Sequence, residues 1–540
     1  MSTPGGAHWQ PGGRKLLPDL LAREWDLLII GGGITGAGIL LEASRRGLKA
    51  LLVEQRDFAW GTSSRSSKLI HGGLRYLKEG RFRLTRESVH ERESLLRDAA
   101  GLVEPQSFAF GDYEGRKPGK RSMLFGLAIY DRMAGHSERH YHSRDEFLAL
   151  APHVAVEGLR GGICYTDART DDARLVLRVL QEARQHGGMA VNYLAADALL
   201  REEGRVSGAS LLDVPGGERH AVRAKLTVNA CGAWSGGLLQ TAGGKAGRRL
   251  RPLRGSHLVL PAWRLPLAQA VSLMHPRDGR PVFAYPWEGA VLAGTTDIDH
   301  RAGLNEEAAI TQEEVDYLIE ALRFQFPSLA LGEEDVIATY AGVRPVIDSG
   351  QADPSKETRD HALWLEDGLL TVMGGKLTTF RAIAMDALRL ARPELPGWTE
   401  KLETRPIFAP TEEVRYSAVL PPGQARRIGG RYGPWAQPLI HAAKAGELET
   451  VPGTETLWAE LRWAARHESV QHLHDLMLRR TRLGILLPQG GKRLLPRVQV
   501  ICAQELGWDR QRWTAEADAY LALCKSHYSL PAERDTGHHG

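Results

Sequence analysis

The chain has 540 residues, too many for one small core, and a length-based prior divides it into about two to four domains. Hydrophobic residues at 43% and charged residues at 25% describe a globular protein. The net charge of +4 is mild and fits an anionic small substrate or lipid headgroups as well as nucleic acid, but no zinc-finger or RNA-binding sheet motif is present to support the last. Four scattered cysteines, Cys164, Cys231, Cys502 and Cys524, form no CxxC pair and no disulfide framework, which points to a reducing compartment.

Residues 1–24 are rich in Gly and Pro and carry Arg14, Lys15 and Arg23; without a continuous apolar stretch they do not read as a signal peptide but as a peripheral extension. The first predicted strand is Trp25 to Ile30 (WDLLII), followed by Gly31-Gly32-Gly33-Ile34-Thr35-Gly36-Ala37-Gly38. A helix-like run to Arg46, a strand over Ala50 to Val53 and Glu54 come next. This order is how a Rossmann-type βαβ unit holds a dinucleotide. The glycines allow a tight turn, N–H groups at the helix start face the pyrophosphate, and the acid accepts from ribose hydroxyls. Gly31, Gly33 and Gly36 therefore carry the turn and Glu54 the ribose, and the acid favours FAD or NAD over NADP.

A polar loop, Thr62 to Lys68, and the run Leu69 to Tyr76 follow, where doubly wound folds gather ligands. A charged helix is predicted over 83–99. The span 116–137 has a basic front and then Met123, Leu124, Phe125, Leu127, Ile129 and Tyr130. It reads either as a helix lying in a membrane surface or as a buried helix with a solvated basic end. Another helix starts at Asp171 and runs to about Gly187, with a strand at Met189 to Tyr193 and a hairpin over 198–228. Short β-rich runs between 250 and 305 (Ser256 to Leu260, Val282 to Tyr285, Ala290 to Ala293) match an antiparallel sheet in a second domain. A helix over 309–325 and a strand over Asp335 to Tyr340 lead to two loops, Ala341 to Pro345 and the Gly-Gly turn of Leu369 to Thr379. Pro393, Pro396 and Pro406 mark a boundary, beyond which helices are predicted at 421–430, 435–446, 453–466, 469–483, 495–505 and 509–526. The histidines form no metal triad, no 18-residue apolar run crosses a membrane, and 529–540 reads as a loose tail.

These residues resemble the FAD-dependent glycerol-3-phosphate dehydrogenases of the bacterial respiratory type. The resemblance spans 24–526. It rests on the glycine turn, Ser66 to Tyr76 (SSKLIHGGLRY), Arg254 to His257 (RGSH), Ala341 to Pro345 (AGVRP), Thr358 to Asp360 (TRD), Gly374 to Thr379 (GGKLTT) and Arg479 to Gly484 (RRTRLG). The first motif alone marks a wide class of flavoproteins, whereas the series in this order is specific. Thr35 departs from the Asn common in the family's turn, and the longer N-terminus is a second departure. Residues 400–530 lack the calcium loop of mitochondrial relatives.

The resemblance implies an α/β plus α fold: a Rossmann-like FAD-binding domain interleaved with an antiparallel-sheet substrate domain, then a C-terminal helical domain. The expected division is an extension at 1–24, FAD-binding parts at 25–100, 161–250 and 336–395, and substrate or membrane-contact parts at 101–160 and 251–335. The helical domain takes 396–528 and the flexible tail 529–540. FAD is the implied cofactor, sn-glycerol 3-phosphate the substrate and a membrane quinone the acceptor. The protein would sit, as a homodimer, on the cytoplasmic face of a bacterial inner membrane without spanning it.

By the same resemblance, Arg344 and Arg359 bind the substrate phosphate, and Arg75 and Tyr76 orient the polyol and its developing oxyanion. His257 is the natural proton acceptor, with Lys376 as an electrostatic alternative beside the flavin. Thr62, Ser63 and Ser64 bind pyrophosphate or ribityl oxygens, with Ser67 and Lys68 beside them; each could instead cap a helix. His71 stands near FAD as a structural or catalytic histidine, and Gly375, Leu377 and Thr378 present backbone groups to the flavin end. The rivals are an oxidase passing electrons to oxygen, an amine or amino-acid oxidase of the same superfamily, and a flavin-bearing structural or tRNA-binding protein.

Overall fold

The computed structural model describes residues 7–531 apart from 79, 242–248, 351–356, 358–359 and 411–419, and leaves out the side chains of 75, 78, 240 and 241. Two sheets organise the chain. In the first, the strand order is His361–Glu366, Leu369–Gly374, Arg219–Asn229, Trp25–Ile30, Ala50–Val53 and Met189–Val191. Every neighbouring pair is parallel except the antiparallel pair at the His361 edge. The central strands are buried along their length, so WDLLII and ALLV are continuous apolar runs rather than alternating ones. Helices Ile34–Ser44, Asp172–Gln185 and Phe380–Ala391 pack together on this sheet. The region expected to be a hairpin over 198–228 is a three-stranded antiparallel sheet: Leu194–Glu202, Arg205–Asp213 and the start of Arg219–Asn229.

The second sheet runs Ile298–Asp299, Leu250–Pro261, Ala290–Gly294, Pro281–Trp287, Ala270–Met274, Val103–Tyr113, Leu159–Thr170 and Leu69–Ile70. Ala338–Ile347 pairs with Leu250–Pro261, and His140–Ser143 with Leu159–Thr170. Two expected boundaries therefore move. Leu159–Thr170 belongs wholly to the second sheet, so the nucleotide-binding part resumes near 171 rather than 161. Ala338–Ile347 extends the second sheet to 347 rather than 335. Ala341 to Pro345 is thus strand and not loop; its ladder runs to Leu250–Pro261 alone, with Pro252 opposite Pro345, an edge setting that a residue without an N–H tolerates.

The N-terminal extension is not peripheral. Trp9 is 2% exposed, donates from Nε1 to Ala190 O at 2.7 Å and packs on Phe58, while its own carbonyl accepts from Ser469 N. Leu17, Leu20 and Leu21 join the apolar cluster behind Trp25–Ile30. In helix Lys120–Ala134, Leu127 and Tyr130 face the core, as the buried-helix reading expects, whereas Phe125 is 71% exposed. Among the described residues no helix is long and apolar enough to cross a membrane.

The helical region docks through buried charge. The predicted helix 469–483 is broken into Leu473–Asp475, a wide turn at Leu476–Arg480 and a left-handed residue at Arg482. The break turns three arginines inward. Arg480 donates to both oxygens of Asp57 (2.6 and 2.7 Å), joined there by Arg479 and by Asn192 at 2.9 Å. Arg482 and Arg431 reach Asp171 at 2.9 and 2.8 Å, and Arg174 pairs with Glu468 at 2.6 Å. Burial would raise Asp171, but Arg482 and Arg431 hold it far below the usual carboxylate range. Ions this deep persist only when each is paired, so the cluster fixes how the helical region sits on the sheet.

Candidate flavin and substrate site

The glycine turn follows the first strand directly. Gly31 has φ 118°, and a Cβ at Gly36 would overlap the Gly31 carbonyl oxygen, so glycine is required at both. Gly33 gives helix Ile34–Ser44 no side-chain cap, leaving its amino end for a ligand. Ser63 Oγ accepts from Ile34 N at 3.0 Å, tying the Thr62–Ser64 turn to that helix start. At the end of the second strand, the Glu54 carboxylate accepts from Gly32 N (2.7 Å) and Arg56 N (2.9 Å), and burial pushes its carboxyl up. A glycine-requiring turn, a helix start that its own N-cap residue Gly33 leaves without a side-chain cap, and an acid at the strand end are the features a dinucleotide needs, and the residues present fit one.

Beyond this turn opens a cavity of about 1670 Å³ where the two sheets meet. Of the predicted site residues, Thr62, Ser67, His71, Tyr76, Arg344, Gly375, Lys376, Leu377 and Thr378 line it. Gly31, Gly33, Gly36, Glu54, Ser63 and Ser64 lie outside that lining, at or beside the glycine turn. Arg359 lies outside the described residues, as does the side chain of Arg75.

Two assignments change. Lys68 does not reach the cavity: it is wholly buried, and its ammonium donates to Asp172 Oδ1 and Ser64 O, both at 3.0 Å. Burial, with Arg482 nearby and Asp172 opposing, lowers it to about 8. These bonds hold the polar loop in place. His257 also lies outside the lining, 1% exposed, with its Nε2 2.9 Å from Ser67 Oγ. Both sit next to lining residues in sequence or space, which motif reading cannot separate from lining itself.

Arg344 is clamped on three sides, by Thr296 O (3.2 Å), Asp297 Oδ1 (2.9 Å) and Thr295 Oγ1 (2.9 Å). The Lys376 ammonium lies 3.9 Å from the Tyr76 ring centroid and 3.2 Å from Ser88 Oγ. Thr295, Thr296 and Asp297 were missed by sequence reasoning; the available signal was the small polar run Gly294-Thr295-Thr296-Asp297 closing an apolar strand. A clamped guanidinium, an ammonium on an aromatic face and a glycine turn around one cavity can hold an anionic polyol against a flat redox ring.

Residues 26–381 match the family model described as FAD dependent oxidoreductase, and 403–513 match the C-terminal domain of alpha-glycerophosphate oxidase. The chain is 36% identical over 493 residues to the aerobic glycerol-3-phosphate dehydrogenase of Staphylococcus aureus (strain MRSA252), covering 85% of this chain and 86% of the relative. Its fold matches the glycerol-3-phosphate dehydrogenase from Bacillus halodurans complexed with FAD, with TM-score 0.77 and 28% identity over 96% of this chain and 98% of the other. The FAD-bound L-alpha-glycerophosphate oxidase from Mycoplasma pneumoniae shares the fold at TM-score 0.55 and 19% identity, over 68% of this chain and 95% of its own.

Proposed function

Given that this chain belongs to the FAD-dependent oxidoreductases, in the family of glycerol-3-phosphate dehydrogenases and oxidases with FAD as cofactor, we propose that it oxidises the C2 hydroxyl of sn-glycerol 3-phosphate to the ketone of dihydroxyacetone phosphate and passes the electrons to a membrane quinone. The observation that carries the substrate reading is the convergence of Arg344 and Lys376 on the one cavity that the Gly375 to Thr378 turn also lines.

Bound FAD supplies the hydride acceptor. The protein's part is placement. Arg344 takes the phosphate, its guanidinium fork held in one orientation by Thr295, Thr296 and Asp297 so that little rotamer freedom is lost on binding. Lys376 faces the polyol from the flavin end, kept there by the Tyr76 ring and Ser88. Arg75 and Arg359 join this set by resemblance, and His71 lines the same cavity.

The quinone reading is supported by the surface of helix Lys120–Ala134. Phe125 projects outward beside exposed Lys120 and Arg121, and Phe82 on the preceding helix is 52% exposed. Apolar rings flanked by cations suit a membrane face rich in anionic lipid. The alternative is an oxidase that passes electrons to oxygen and forms hydrogen peroxide.

The test is an anaerobic absorbance titration of the purified protein with sn-glycerol 3-phosphate, followed by separate additions of a quinone analogue and oxygen. Bleaching reversed quickly by quinone and slowly by oxygen is the expected result. No bleaching would remove the substrate reading, and fast reoxidation by oxygen with peroxide would select the oxidase.

A further inference from the structure

Ser67 stands between the cavity and a sealed imidazole. Its Oγ is 2.9 Å from His257 Nε2; Ser67 lines the cavity and His257 does not. The His257 ring is stacked on Tyr340, with centroids 4.6 Å apart and planes 8° from parallel, and the Gly294 backbone closes its other side so tightly that a Cβ there would overlap the ring. His257 Nδ1 is buried and has no hydrogen-bond partner among the described residues.

The surroundings decide the state of that ring. Facing it are the stacked Tyr340, the guanidinium of Arg344 on the paired strand, and the ammonium of Lys68, which lies 4.6 Å from the Tyr340 centroid. Tyr285 approaches from the Pro281–Trp287 strand and spends its hydroxyl on Ser67 O. Burial, Arg344 and Lys68 together hold His257 well below the usual histidine range, so the ring is neutral and carries one N–H. Placing that hydrogen on Nδ1 would bury a donor with no acceptor, whereas an unpaired ring lone pair is the cheaper orphan. The hydrogen therefore sits on Nε2 and donates to Ser67 Oγ. The Ser67 hydroxyl can no longer donate toward His257, and its own hydrogen is directed to the cavity.

We infer that Ser67 donates a hydrogen bond to the substrate C2 oxygen as it develops negative charge, and that His257 is a positioning residue that aims this hydroxyl rather than the base that removes a proton. Ser67 keeps its proton throughout: it stabilises the oxygen while the hydroxyl proton passes to water in the cavity and the C2 hydrogen leaves with its electron pair to bound FAD. The inference rests on the glycerol 3-phosphate reading above and specifies which group meets the reacting oxygen.

The experiment is anaerobic stopped-flow reduction of the holoenzyme by sn-glycerol 3-phosphate. Ser67→Ala is expected to lower the limiting rate on the order of 100-fold, the cost of losing one oxyanion donor, with a much smaller change in half-saturation. Ser67→Thr, which keeps the hydroxyl, restores most of the rate. His257→Gln lowers the rate while keeping the shape of its pH profile, and the double variant Ser67→Ala/His257→Gln is no slower than Ser67→Ala. In ¹⁵N-histidine spectra of the resting holoenzyme, the signal lost in His257→Gln reports a neutral ring protonated on Nε2 from pH 6 to 9. A Ser67→Ala rate within twofold of wild type would overturn the inference while leaving the substrate reading intact, and so would loss of the acidic limb in His257→Gln or a ring proton on Nδ1. Failure of the wild-type protein to bleach would overturn both.

Discussion

Asp57 offers the sharpest test of how the helical region is held. It is fully buried, and its two oxygens take hydrogen bonds from Arg479, Arg480 and Asn192. Asp57→Ala removes the anion and leaves two buried guanidinium groups facing each other. Breaking a buried ion pair from one side costs about 3–5 kcal/mol. Here the lower end applies, because Arg479 keeps Asp475 (2.6 Å) and Arg480 keeps the Glu468 carbonyl (2.9 Å). A loss of about 3 kcal/mol is roughly a 100-fold rise in the open population of the 473–486 segment. Hydrogen exchange by mass spectrometry reads that population directly and does not require the whole chain to unfold in one step. Peptides covering 473–486 should exchange roughly 100-fold faster, with helix Lys120–Ala134 unchanged. Exchange within threefold of wild type would refute the view that Asp57 anchors this contact.

Other consequences are independent of that cluster. Gly36→Ala should abolish FAD retention, read as the flavin-to-protein absorbance ratio after gel filtration, because its Cβ has no space against the Gly31 carbonyl; a normal ratio would refute the tight-turn argument. Burial would raise Glu307, but Arg65, aided by Arg479, Tyr528 and Trp60, holds it down at about 2, below its ordinary 4.5. A depressed acid adds stability above its unfolded pKa and loses it as pH falls, so the wild-type urea midpoint should decline between about pH 5 and 2, and Glu307→Gln should flatten that decline. An identical slope in both proteins would count against the Arg65–Glu307 pair. Phe125→Ser should weaken binding to anionic lipid vesicles about tenfold or more, from the loss of one buried aromatic side chain; unchanged sedimentation with vesicles would remove helix Lys120–Ala134 from the membrane face.

Local order was legible wherever a single period or a steric requirement governed the residues. The strands Trp25–Ile30 and Ala50–Val53 carry the bounds read from their apolar runs, and the glycine turn between strand and helix needs no tertiary context to be recognised. The long strands were not legible, because Gly162 in Leu159–Thr170 and Gly342 and Pro345 in Ala338–Ile347 look like turn signals until their partners are known. The helix over 469–483 failed for another reason. Its spacing is helical, but Arg479, Arg480 and Arg482 are drawn to Asp57, Asp171 and Asp172, carboxylates hundreds of residues earlier in the chain. At the site, sequence found residue types but not depth. Ser67, Lys68 and His257 all read as contacts, and only the fold separates the first, which lines the cavity, from the two that stand behind it.

The strand order of the first sheet also governs how the molecule can be made. Of its neighbours in space, Trp25–Ile30 and Ala50–Val53 leave the ribosome together, but Arg219–Asn229 and Leu369–Gly374 follow much later. At a synthesis rate of roughly 5–20 residues per second, about 15–65 s separate the second strand from the turn ending at Thr378. Throughout that interval the glycine turn exists without the opposite wall of its pocket, and the apolar faces of the early strands await partners not yet translated. If the Gly375 to Thr378 turn holds the cofactor as proposed, capture waits for a nearly complete chain, and a nascent fragment that stops short of Leu369 exposes apolar strand edges to chaperones.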